Sequence, residues 1–115
     1  MTKGDIAVKK VRFLIEYGCF PLWPAEESTG FFYGPGAPVE VKARPELMSD
    51  LEQIEDIWNS LFIDNEIEFR WKGFDSEDDK QAFVMLVRET VRKLHEALDG
   101  KYIILDDSSH ALNGL

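Results

Sequence analysis

Apolar residues along this chain follow two periods. Across IAVKKVRFLIEY (6–17), Val11, Phe13, Ile15 and Tyr17 alternate with other residues, a two-residue period that predicts a strand carrying those four on one face. Gly18 interrupts it, and CFPLW is expected to pair back alongside, with Pro21 restricting that segment to an edge or a bulge. PAEESTGFFYGPGAP (24–38) is punctuated by glycine and proline and predicts a loop with turns, with room for a short FFY strand. After Pro45 the period changes. Leu47, Leu51, Ile54, Trp58 and Leu61 recur at helical spacing, which places them on one face of a helix running to about Phe62.

Asp64-Asn65 then makes a turn, and EIEFRWKGF returns to alternation. It predicts a strand with Ile67, Phe69 and Trp71 inward and Glu66, Glu68, Arg70 and Lys72 outward. Ser76 is placed to cap a second helix with Asp79 three residues on, and that helix would bury Phe83, Leu86, Val87, Thr90, Leu94 and Leu98 before Gly100 ends it. KYIIL predicts a last short strand, and DDSSHALNGL a tail. The order β-β-loop-α-β-α-β predicts an α+β fold: a small, mainly antiparallel sheet with two amphipathic helices packed on one face. At 115 residues one domain is expected, with flexible ends near 1–5 and 107–115.

Charge changes this picture more than composition does. The net charge is −9, and residues 46–79 hold twelve acidic side chains against two basic ones. Nucleic-acid binding through phosphates needs the opposite sign, so the balance points to basic partners. A single cysteine, Cys19, offers no intrachain disulfide and is expected as a small buried hydrophobe in a reducing compartment. No leader-like start and no membrane-length apolar run stand out, which predicts a soluble, cytoplasmic protein.

Some of the acids have ordinary explanations. Glu46 and Glu77-Asp78-Asp79 fall in the first turns of the two helices, where each offsets the helix dipole by about 0.3–1 kcal/mol. Glu52 and Asp56 do not: they lie four apart on the polar face of the first helix, a like-charge pair that costs a few tenths of a kcal/mol. The second helix alternates Arg88, Glu89, Arg92, Lys93 and Glu96, with Glu89 and Lys93 in the favourable order. Together with Glu66 and Glu68, Glu52 and Asp56 form either a solvated acidic surface or one that meets a partner.

Chemistry finds no constellation. Glu66 and Glu68 on an exposed strand face lack the cleft that separates the pKa values of a catalytic pair. Asp64, Glu66 and Glu68 share the spacing of a calcium loop, but Phe69 stands where its glycine belongs, and no metal or other cofactor is expected. His95 and His110 are expected at the surface. Asp107, Ser108, Ser109 and His110 have triad residue types at an end expected to fray, and Cys19 has neither a base nor a helix N-terminus to activate it. Gly34-Pro35-Gly36 is a turn, not a phosphate loop. Phe31, Phe32 and Tyr33 either plug the core or anchor a partner, and Trp23 and Trp58 are expected in the core.

Two segments, FLIEYGCFPLWPAEE (13–27) and LFIDNEIEFRWKGFDSEDDKQAF (61–83), resemble small bacterial α+β immunity proteins encoded beside polymorphic or contact-dependent growth inhibition toxins. The resemblance implies a non-catalytic protein that binds a basic toxin domain, often a nuclease, and occludes its active site. It also implies Glu52, Asp56, Glu66 and Glu68 as electrostatic contacts and Phe32 or Tyr33 as an apolar anchor. A different reading is a small-ligand-binding or adaptor domain whose ligand sits beneath the Gly30–Pro38 loop, beside Trp23 and Trp58.

Overall fold

Pro45 occupies the first turn of the helix expected to follow it, where a missing N–H costs nothing. In the computed structural model, which describes residues 9–25 and 34–115, that helix is α2. Ahead of it come β1 (Lys9–Phe13), β2 (Leu22–Pro24) and the one-turn α1 (Val39–Lys42). α2 spans Pro45–Ser60 and is followed by β3 (Phe62–Asp64), β4 (Phe69–Trp71), α3 (Glu77–Leu98), β5 (Tyr102–Asp106) and the one-turn α4 (Ser109–Leu112). The α+β class expected from the two periods is the class observed.

α3 starts as its sequence requires. The Asp79 N–H donates to the Ser76 Oγ at 3.1 Å, and Glu77, Asp78 and Asp79 fill the first turn. Its apolar stripe, Phe83, Val87, Leu94 and Leu98, is buried against Leu47, Leu51, Ile54 and Trp58 of α2. Thr90 lies in the same stripe and donates its hydroxyl to the Leu86 carbonyl at 2.7 Å, which satisfies the polar group in place. Leu86 itself is half-buried at the margin of this core. Gly100 takes the left-handed conformation (φ +72°) that lets the chain leave the helix and turn into β5.

The sheet has the order β2-β1-β5. β2 folds back antiparallel on β1, pairing Phe13 with Leu22. β5 joins the other edge in parallel, with Lys9 opposite Tyr102 and Phe13 opposite Asp106. A parallel neighbour needs a crossover, and the helices between β1 and β5 supply it. Val11 and Phe13 are fully buried beneath them, Ile15 continues the same face, and Tyr17 is half-buried, as the alternation predicts. Ile103 and Leu105 on β5 project away from the core.

Two expectations are corrected. The segment around Phe69 does not join this sheet. Among the described residues it pairs only with its sequence neighbour β3, as a separate two-stranded hairpin. DDSSHALNGL is not an unstructured tail: the Asp107 N–H donates to the Phe13 carbonyl at 2.8 Å, and Asp107 forms an ion pair with Arg12. Buried Ser108 bonds to Asp106 through both its N–H and its hydroxyl. Ala111, Leu112 and Leu115 then rest against the core. The FFY segment lies outside the described residues.

Two stability measurements check this account. Leu51→Ala, at a site with no solvent exposure, lowers unfolding free energy by about 2–5 kcal/mol in urea titration. Ser76→Ala removes only the cap of α3 and costs about 1 kcal/mol in the same assay.

Candidate functional site

The hairpin is built by one side chain. Asn65 Oδ1 accepts from the N–H groups of Ile67 (2.8 Å) and Glu68 (2.9 Å), while its own N–H donates to the Glu68 carbonyl at 3.0 Å. This local turn presents Glu66 and Ile67 at the tip. The register sets Phe62 opposite Trp71 and Asp64 opposite Phe69, so Phe62, Asp64, Phe69 and Trp71 share one face and Ile63, Glu68, Arg70 and Lys72 the other. The N–H groups of Lys72 and Gly73 return to the Leu61 carbonyl, and Gly73 (φ +84°) turns the chain away beneath the Trp71 indole.

The sequence therefore reads the two faces of this strand correctly and their burial wrongly. Ile67 is 94% exposed, Phe69 57% and Trp71 42%. The apolar face meets no sheet or helix broadside. Instead it is met edge-on by a run of rings: Tyr17 lies 4.9 Å from both Phe62 and Phe69, and Trp71 lies 5.1 Å from both Phe62 and Trp58. Trp58 continues the run inward to Phe83 at 5.9 Å and is buried, as expected of it. The Tyr17 hydroxyl donates to Asp64 Oδ2 at 2.7 Å, and this bond to a carboxylate holds the phenol's pKa above its ordinary value.

The four acids singled out from the sequence are all exposed. Glu52 and Asp56 lie on the outer face of α2, and Glu66 in the hairpin turn; none of the three makes an ion pair among the described residues. Glu68 is partly neutralised by Arg70 at 3.3 Å. The outer face of α3 also keeps its balance, though not with the expected pair. Arg92 bridges Glu89 and Glu96, whereas Lys93 crosses to Asp50 of α2 at 2.7 Å. That hydrogen bond to Asp50 is the main cause of the raised Lys93 pKa, and the bond from Arg92 lowers that of Glu89. Phe32 and Tyr33 lie outside the described residues, as does the first part (30–33) of the loop proposed to cover a ligand.

The other candidates are placed as follows. Cys19 is half-buried rather than buried. His95 and His110 are exposed, and Trp23 is half-buried with its indole N–H buried and without a hydrogen-bond partner among the described residues. Asp107 and Ser108 are engaged by Arg12 and Asp106, so the Asp107–His110 run forms no triad. No three His, Cys, Asp or Glu side chains among the described residues converge as a metal site would require. No helix among those residues is long and apolar enough to cross a membrane.

Concave surface that sequence reasoning missed includes a groove between the long helices and a hollow beside Trp71. A groove of about 430 Å³ runs between α2 and α3, walled by Ile57, Leu61, Phe74, Phe83 and Leu86 and edged by Asp75 and Asp79. A smaller hollow of about 250 Å³ lies between Trp58, Trp71, His110, Ala111 and Leu115. The signal that could have revealed the second is the shortness of β4, whose Phe69 and Trp71 flank Arg70 and are themselves bounded by Glu68 and Lys72. Such a strand has little of its own with which to recruit a cover.

A family model described as Serratia CdiI immunity protein-like matches residues 9–107, from the first residue of β1 to just beyond β5. A comparison with curated proteins finds no match. The matched stretch contains the whole sheet, both long helices and the aromatic hairpin. The chain thus belongs to the Serratia CdiI immunity protein-like family, immunity proteins of contact-dependent growth inhibition whose partner is a toxin protein.

Proposed function

We propose that this immunity protein neutralises a basic, nucleic-acid-cleaving toxin domain in the cytoplasm by covering it with an acidic surface, without chemistry of its own. The observation that carries this reading is the set of acids left uncompensated on α2 and in the hairpin turn. Glu52, Asp56 and Glu66 are exposed and have no ion pair among the described residues, in a molecule that pairs Asp50, Glu77, Glu89 and Glu96. Self-repulsion of this kind costs the isolated protein stability, and association with a cation-rich surface relieves it. A domain that cleaves nucleic acid carries such a surface, because it must hold phosphates. Glu68, shared with Arg70, contributes at the edge of the field, and Phe32 or Tyr33 of the loop supplies an apolar contact.

Long-range attraction of this type acts mainly on association rate and is screened over about 8 Å at physiological salt. The test is titration of the toxin domain encoded in the neighbouring reading frame against this protein at low and high salt. Tight binding that weakens with salt is expected, and Glu52→Lys with Asp56→Lys is expected to slow association by about tenfold or more at low salt. Tight binding that ignores both salt and charge reversal would remove the acidic surface from the interface.

A further inference from the structure

The β3–β4 hairpin carries an apolar face that the fold does not consume. Phe69 and Trp71 keep about half their surface in water, and Ile67 is almost wholly exposed at the turn. A two-stranded ribbon has little stability of its own, and exposed large hydrophobics lower solubility; packing on Tyr17, Phe62 and Trp58 accounts for only part of the surface of Phe69 and Trp71 and for almost none of Ile67. The surface beside Trp71 is concave on both sides. On one side is the hollow formed with Trp58, His110, Ala111 and Leu115. On the other, a hollow of about 320 Å³ brings Asp75, Ser76 and Glu77 to the same indole, with Lys80 bridging Glu77 at 3.4 Å.

We infer that this Trp71-centred face is the apolar anchor point for the toxin domain. A protruding aliphatic or aromatic side chain of the toxin enters the hollow between Trp58 and Trp71, and a neighbouring lysine or arginine meets Asp75 and Glu77. The inference rests on the reading above that the partner is a basic toxin domain. Exposed aromatics lining a pocket are the residues that most often dominate binding energy, and acids beside them select what accompanies the inserted group.

Charge decides between this occupant and a second copy of the chain. Residues 62–79 contain seven acidic and two basic side chains, and one of the two bases, Arg70, is held by Glu68. Apposing two apolar hairpin faces would bring Asp64 and the turn residue Glu66 of each copy close to those of the other, a like-charge juxtaposition that suppresses such a pairing. A basic surface with an apolar projection is attracted by the same field. The anchor and the field act differently: apolar contact governs dissociation and is largely indifferent to salt, whereas the acids of α2 govern association.

That difference is the test. The neighbouring toxin domain is titrated at low and high salt against the wild type, Ile67→Ser, Trp71→Ala and the charge-reversed α2 variant. Ile67→Ser alters a side chain already in water and is expected to melt like the wild type; Trp71→Ala touches Trp58, so its melting temperature is measured alongside. Each is expected to raise Kd by about tenfold or more through faster dissociation, by a similar factor at both salt concentrations. If the wild type binds and both variants bind as tightly as it does, the anchor is overturned while the acidic-surface reading stands. If the wild type does not bind, both fall. A concentration-dependent dimer in light scattering that Ile67→Ser abolishes would assign the face to a second copy and overturn the inference.

Discussion

The parallel pairing of β1 with β5 is the constraint on which the rest of the structure depends. It joins residues more than ninety positions apart, Lys9 with Tyr102 and Phe13 with Asp106, and it obliges the intervening chain to cross over one face of the sheet. The crossover must hide Val11 and Phe13, which have no exposure at all, so α2 and α3 have to present their apolar stripes together. Asp107 donates its N–H to the Phe13 carbonyl and pairs with Arg12, which extends the same edge past the last strand and brings α4 against the core.

The sheet ends at β2 on one side and at β5 on the other, and β4 is not a member of it. β4 pairs with its sequence neighbour β3 instead, and the Asn65 side chain closes the turn between them. The hairpin is fastened at its base by Leu61, and Tyr17 and Trp58 cover part of its apolar face while Ile67, Phe69 and Trp71 stay exposed. Exposed Trp71 and Ile67 are thus a consequence of sheet topology before they are a feature of recognition. In an immunity protein, whose work is to hold a toxin, such a face is available at no further cost to the fold.

The acids show the same division between local and global causes. Those at the start of α3 serve the helix that carries them, and Asp50 and Glu96 find cations across or along the helices. Lys93, which the sequence pairs with Glu89, is drawn to Asp50 because the packing of α2 on α3 brings that carboxylate within reach. The neutralised charges therefore lie along α3 and where it meets α2, whereas Glu52, Asp56 and Glu66, on α2 and in the hairpin turn, have no ion pair among the described residues.

Read alone, the chain determined its two long helices and most of its strands. Pro45, Ser76 and Gly100 act on their own backbones, and the 3.6- and two-residue periods select a buried stripe whatever covers it. It also determined which side of β4 is apolar, since pleating allows no other arrangement. Only the tertiary structure decided that the apolar side stays in water, that β5 runs parallel to β1, and that Asp107 and Ser108 are tied down rather than frayed. Alternation records a preference for an apolar neighbour without specifying whether the chain itself provides one. That depends on which distant segments meet in the folded chain, and no local window of sequence contains it.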